Sequence, residues 1–245
     1  RERPTSRSAD DPQLRATKNA QRRLWIMAEI VDTEAAYVAT LRRLVKHYLE
    51  PLLALVADKK SRVMADKKHR LTEFHVNSMF GNITELLEFN QSFLTELKER
   101  RAVWETAGDD NQRLVGDVFL RLTPFLRLYT AYAQVFDSGQ ELLTKLLGSS
   151  ASFREWVEAR NAEHGQKLPL QAQLITPIQR VPRYNLLLRD IVEHTADSHP
   201  DKEKLTAALA LMEEIATNMN NSLKASDNHQ KLLALQDALA DFPHP

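Results

Sequence analysis

From Pro12 onward, apolar residues recur at steps of three, four or seven. Leu24, Met27, Val31, Val38, Leu41, Val45, Leu49 and Leu52 make one stripe. That spacing puts them on one face of a helix of about 45 residues, entered at Asp11-Pro12. Pro51 falls inside the pattern and predicts a kink or a local loosening. Asp58–Arg70 is polar and basic and reads as a loop. A second helical region runs from Thr72, a plausible N-cap, to Glu105, with a short first piece ended by Gly81. A turn at Ala107–Asp110 precedes a third region over 111–147. Its bulky face is Phe119, Leu122, Phe125, Leu126, Tyr129 and Tyr132, and Pro124 lies within it. After a break at Gly148-Ser149-Ser150 come a helix over Phe153–Glu163, a loop over Gly165–Pro169 and a helix over Leu170–Thr195. A polar turn at Ala196–Pro200 leads to a last helix over Asp201–Leu239.

No short run alternates apolar and polar residues with β-branched enrichment, so the pattern predicts no strand. Several helices exceed 25 residues, and the expected fold is all-α: a single elongated helical bundle over residues 12–240. Residues 1–11 read as a disordered upstream linker, and 241–245 as a tail leading to a C-terminal domain that is absent or trimmed.

Composition narrows the chemistry. The 245 residues hold six glycines and no cysteine. That argues against hairpin-rich folds and glycine-rich phosphate loops, and it excludes thiol nucleophiles, disulfides and thiolate metal sites. Basic and acidic residues number 33 each. The balance hides an uneven distribution: residues 1–70 carry 16 basic and 9 acidic side chains, and the rest of the chain is acidic. This is too weak an excess for a nucleic-acid footprint. No GxGxxG, GxxxxGK[ST], GxSxG or HExxH motif occurs, and no two histidines stand four apart. No catalytic residue, metal or cofactor is expected.

Three places strain local rules. Glu34 lies along the apolar stripe, three residues after Val31 and four before Val38. It is either a stripe-edge carboxylate pointing to water or an acidic group held on a rigid helix to meet a partner. The segment Leu174–Leu188 (LITPIQRVPRYNLLL) holds two prolines five apart in a helical pattern, each costing roughly 3 kcal/mol in a helix interior. Within it, Gln179, Arg180 and Arg183 are candidates for pairing across an interface. Asn218-Met219-Asn220-Asn221 puts three weak helix formers in the middle of the last helix.

Together these segments resemble the Dbl-homology domain of Rho-family guanine-nucleotide exchange factors. EIVDTEAAYVATLRRLVKHYLEPL (29–52) is similar to that family's first helix, and MFGNITELLEFNQSFLTELKER (79–100) to its Phe-Gly-Asn-Ile segment. LITPIQRVPRYNLLLRDIVEHT (174–195) is close to a family signature, and NMNNSLKASDN matches the closing motif more loosely. The order and spacing agree over about residues 20–235.

The resemblance implies an elongated helical bundle that binds a Rho-family small GTPase of the Rho, Rac or Cdc type. It implies release of GDP for GTP loading without bond chemistry, in control of the actin cytoskeleton. By position it implies that Glu34 engages the first switch segment. Arg183 supplies the signature helix's basic residue, Asn220 meets the second switch segment, and Asp227 helps there. Ile175 tunes partner preference, and Gln179 joins the contact. Asn221 departs from the family, which has glutamate there. On this reading alanine at Glu34 or Asn220 abolishes exchange and leaves melting unchanged. The expected location is cytoplasmic with recruitment to the membrane periphery, and membrane contact is indirect or through a missing pleckstrin-homology domain. The alternative is a non-exchanging or autoinhibited helical scaffold. A membrane-surface bundle using Lys59, Lys60, Lys67 and Lys68 is a third.

Overall fold

The computed structural model describes residues 12–58, 71–165 and 168–240. The basic segment's Lys59, Lys60, Lys67 and Lys68, the upstream linker and the tail lie outside the described residues. All regular elements among the described residues are helical.

The chain opens with α1 (Pro12–Arg43), which passes through a π-helical turn (Leu44–Leu49) into α2 (Glu50–Ala57). The wide turn answers the expected kink. Pro51 has no N–H for the carbonyl four residues back, and its ring crowds the preceding turn. Widening by one residue lets the Glu50 N–H bond to the Val45 carbonyl instead. The helix therefore continues through the proline rather than breaking.

α3 (Glu73–Phe80) starts at Thr72, whose Oγ1 accepts from the His75 N–H while His75 Nδ1 accepts from the Thr72 N–H. This is the reciprocal capping arrangement with histidine in place of the usual Glu or Gln. Gly81 ends α3 at φ +54°, where only glycine is unstrained. α4 (Ile83–Thr106) follows.

The expected third helix is broken into four pieces. A 3₁₀ turn (Asp110–Gln112) and α5 (Gly116–Leu122) come first, then a second 3₁₀ turn (Thr123–Leu126) that carries Pro124, then α6 (Arg127–Ser149). The proline tightens the chain, and Phe125 turns outward, 54% exposed, while Phe119, Leu126, Tyr129 and Tyr132 stay buried. Gly148 is helical, and the break comes at Ser150, whose Oγ accepts from the Phe153 N–H to start α7 (Ala151–Glu163).

α8 (Leu170–Leu174) and α9 (Thr176–Glu193) replace one expected helix. The division at Ile175 places Pro177 in the first turn of α9, where its missing N–H costs almost nothing. Only Pro182 is interior. α10 (Lys202–Ala240) is the longest element, about 58 Å at 1.5 Å per residue.

α1 packs against α4 and α9; α10 packs against α5, α6 and α9. The core is one contiguous apolar cluster, with Ile26, Ile30, Leu41, Phe80, Leu86, Leu97, Leu143 and Leu188 fully covered. One end is tied by a buried polar knot. Arg23 donates to Thr195 Oγ1 (3.0 Å) and to the Arg113 carbonyl (2.8 Å), and stands 3.8 Å from Asp201. Asp201 in turn accepts from the Val115 and Gly116 N–H groups at the start of α5.

α3 and α6 meet at Gly139, where an added Cβ would stand 2.6 Å from the Ser78 carbonyl oxygen. At Gly148 an added Cβ meets nothing within 4 Å. In urea unfolding, Gly139→Ala is expected to lose about 1–3 kcal/mol, and Gly148→Ala to gain about 0.5–1 kcal/mol. Equal effects at the two sites would refute the close approach of α3 to α6.

Candidate functional site

The sequence candidates fall on a composite face made by α1, α9 and α10, with α9 packed against both others. Its frame is buried. Glu34 is 0% exposed, so it neither points to water nor stands at the surface to meet a partner. Its carboxylate accepts from Arg180 Nη2 and from the Tyr184 hydroxyl (2.6 Å). The residues around Glu34 on its ridge explain the burial: Ile30, Tyr37, Val38 and Leu41 are all covered.

The Arg180 guanidinium lies between the rings of Tyr184 (4.3 Å) and Tyr37 (5.3 Å), and its Nη1 donates to Thr33 Oγ1 (3.3 Å). Burial opposes the charge of Arg180, but Tyr184 and Glu34 outweigh it and push its pKa above the usual range. The network continues inward. The Tyr129 hydroxyl donates to Asn90 Oδ1 (2.9 Å), which lies 3.2 Å from the Tyr184 oxygen, and Asn90 Nδ2 donates to the Leu86 carbonyl (2.6 Å). Burial raises the Tyr129 and Tyr184 hydroxyls well above their ordinary range, so both remain protonated donors. Four helices, α1, α4, α6 and α9, are thereby joined through polar contacts.

Over this frame lies the surface. Thr33, Ala36 and Thr40 of α1 face Thr176, Gln179 and Arg183 of α9 across a groove of about 200 Å³ floored by Tyr37 and Arg180. At its edge Glu29 Oε1 stands 3.7 Å from Arg183 Nη2, with the side chains 30% and 52% exposed. Glu29 was not a sequence candidate. The signal was present: Glu29, Thr33, Ala36 and Thr40 follow one another at helical spacing. Three small residues on one ridge leave a groove, and the carboxylate stands at its end.

The structure places the remaining candidates as follows. Gln179 and Arg183 are exposed on α9, and Ile175 is half-buried at the α8–α9 junction. Asn220 is exposed on α10 beside the buried Met219. The short turn between α9 and α10 makes them antiparallel, and the Arg189–Glu213 pair (2.7 Å) sets their register. Counting equal steps from that pair, at 1.5 Å per residue, brings Arg183 level with Met219–Asn220 and Ile175 level with position 227. Asp227 belongs to α10, but its side chain lies outside the described residues. Among the described residues no group of three or more acidic or histidine side chains could hold a metal.

The two glutamates differ in what their pairs are worth. An exposed ion pair such as Glu29–Arg183 contributes about 0–1 kcal/mol, so opening it is nearly free. Removing one partner of a buried pair leaves an uncompensated charge and costs about 3–5 kcal/mol. Only the first pair can be handed to a binding partner cheaply.

Comparison with known proteins agrees with this architecture. A family model described as RhoGEF domain matches residues 26–220. The chain is 31% identical over 218 residues to "Guanine exchange factor for Rac 30" of Dictyostelium discoideum, covering 89% of this chain and 12% of that protein. It is 31% identical over 224 residues to human "FYVE, RhoGEF and PH domain-containing protein 2", covering 88% of this chain and 32% of that protein. The chain thus spans between about an eighth and a third of these relatives. The crystal structure of the DH domain of FARP2 superposes with a TM-score of 0.68 at 26% identity, covering 88% of this chain and 96% of that one.

In denaturant unfolding, Glu34→Ala is expected to lose about 3–5 kcal/mol, and Glu29→Ala less than about 1 kcal/mol. Wild-type stability in Glu34→Ala would contradict the structural role given to it.

Proposed function

Since this chain belongs to the RhoGEF domain family, we propose that its α1–α9–α10 face binds a Rho-family small GTPase and promotes release of GDP. The observation that carries this reading is the exposed Glu29–Arg183 pair beside a groove on a buried, cross-linked frame. Glu29, rather than Glu34, is the acidic group that meets the partner. It and Arg183 exchange one weak contact for contacts across the interface. Gln179 and Ile175 line the α9 side, and Asn220 and Asp227 supply the α10 side.

Exchange needs no bond made or broken by this chain. A partner that binds the nucleotide-free GTPase more tightly than the GDP form weakens GDP binding by the same factor. A difference of about 5.5 kcal/mol corresponds to about 10⁴-fold weaker nucleotide. The binding surface must hold its shape while the partner deforms. Polar ties across four helices beneath α1 and α9 serve that end, because a yielding surface would spend the binding energy on itself.

Fluorescent-GDP release from a panel of Rho-family GTPases tests the reading. At least one member is expected to be accelerated by the wild-type chain. Glu29→Ala, Arg183→Ala and Asn220→Ala are each expected to slow that release about ten-fold or more, with unchanged melting, as loss of a charged or polar interface contact does. Failure to accelerate any member would overturn the proposal. Acceleration that survives Glu29→Ala and Arg183→Ala would overturn the site.

A further inference from the structure

Most arginines of the described helices meet a carboxylate, as Arg22, Arg101, Arg121 and Arg189 do. At the C-terminal end of α1 the pattern changes. Arg42, Arg43 and Lys46 fall within little more than one turn, and among the described residues Arg43 bonds the Thr40 hydroxyl and no carboxylate. They continue into the π turn, where His47 stacks on His164 of α7 with ring centroids 3.6 Å apart. Arg160 of α7 pairs with Glu163 and lies over the Trp156 ring. The opposing carboxylates are Glu163, which pairs with Arg160, and Glu50. Arg42 and Lys46 stand one turn apart on one row with Arg43 beside them, instead of converging on one point. No exposed large apolar side chain lies on this stretch of α1, on the π turn or on α7.

We propose that this end of the bundle is a docking surface for an anionic phospholipid bilayer. Protein interfaces are anchored by buried aromatic or apolar residues at their centre, and this patch offers none. Exposed Arg42 and Lys46, with no carboxylate partner among the described residues and with half-buried Arg43 beside them, suit a plane of many phosphates, where each Lys or Arg adds attraction without a fixed geometry. The patch lies about 20–25 Å along α1 from Glu29. A bilayer held there leaves the Glu29–Arg183 pair open to a protein partner.

The test is co-sedimentation of the purified chain with phosphatidylcholine vesicles, with and without phosphatidylserine. The wild-type chain is expected to bind only the anionic vesicles and to be released by salt. Arg42→Glu combined with Lys46→Glu is expected to lower the bound fraction's partition coefficient about ten-fold or more. Arg42→Gln with Lys46→Gln lowers it less, in the same direction. GDP release in solution, without vesicles, stays at the wild-type rate in both variants. Binding to neutral vesicles alike, no binding, or unchanged binding by both variants would overturn the proposal. So would slowed release in solution, which would place the patch in a protein contact.

Discussion

The ion pair between Glu34 and Arg180 is the constraint on which the rest of this bundle depends. Two charges with almost no access to water persist only when each is paired and hydrogen-bonded. Here Arg180 is clasped by Glu34, Thr33 and two tyrosine rings, and Glu34 also accepts from Tyr184. The arrangement sets the rotation of α1 against α9, because a turn of either helix would strand a charge. With that rotation set, Glu29 and Arg183 must emerge together one turn further out. The surface pair follows from the buried one.

Backbone irregularities are placed so that they disturb this frame little. The π turn absorbs Pro51 beyond the groove, and the break at Ile175 gives Pro177 a first-turn position before α9 reaches Arg180. Pro182 remains inside α9 and is exposed. It has no N–H for the Ile178 carbonyl, a local weakness offset by the buried Val181, Tyr184, Leu187 and Leu188 around it. Pro182 falls in the α9 wall of the groove itself, between Gln179 and Arg183.

Much of the architecture was legible in the residues. The stripe from Leu24 to Leu52, the Thr72 cap and the Gly81 stop all have local causes, and local causes can be read locally. The breaks at Thr123–Leu126 and Ile175 were harder: a proline forbids a bond but does not say on which side the chain will yield. Phe125 shows the consequence, since helical periodicity would bury it and the 3₁₀ turn exposes it. Asn220 and Arg183 stood out as candidates because they lie in segments that break local preference, a run of asparagines and a helix with two prolines. The burial of Glu34 escaped the sequence for a different reason. A carboxylate on an apolar ridge can be at the stripe's edge or under it, and only a partner 146 residues away in the chain decides. Arg180 was visible as a candidate, but nothing local tied it to Glu34.

The account's central claim is that Glu34 holds the frame while Glu29 meets the partner. The most direct measurement is a structure of this chain bound to a nucleotide-free Rho-family GTPase. The account predicts that Glu34 keeps its contacts with Arg180 and Tyr184 unchanged, and that the Glu29 and Arg183 side chains have parted to contact the GTPase. A complex in which Glu34 has left Arg180 to reach the GTPase, with Glu29 still in solvent, would contradict it.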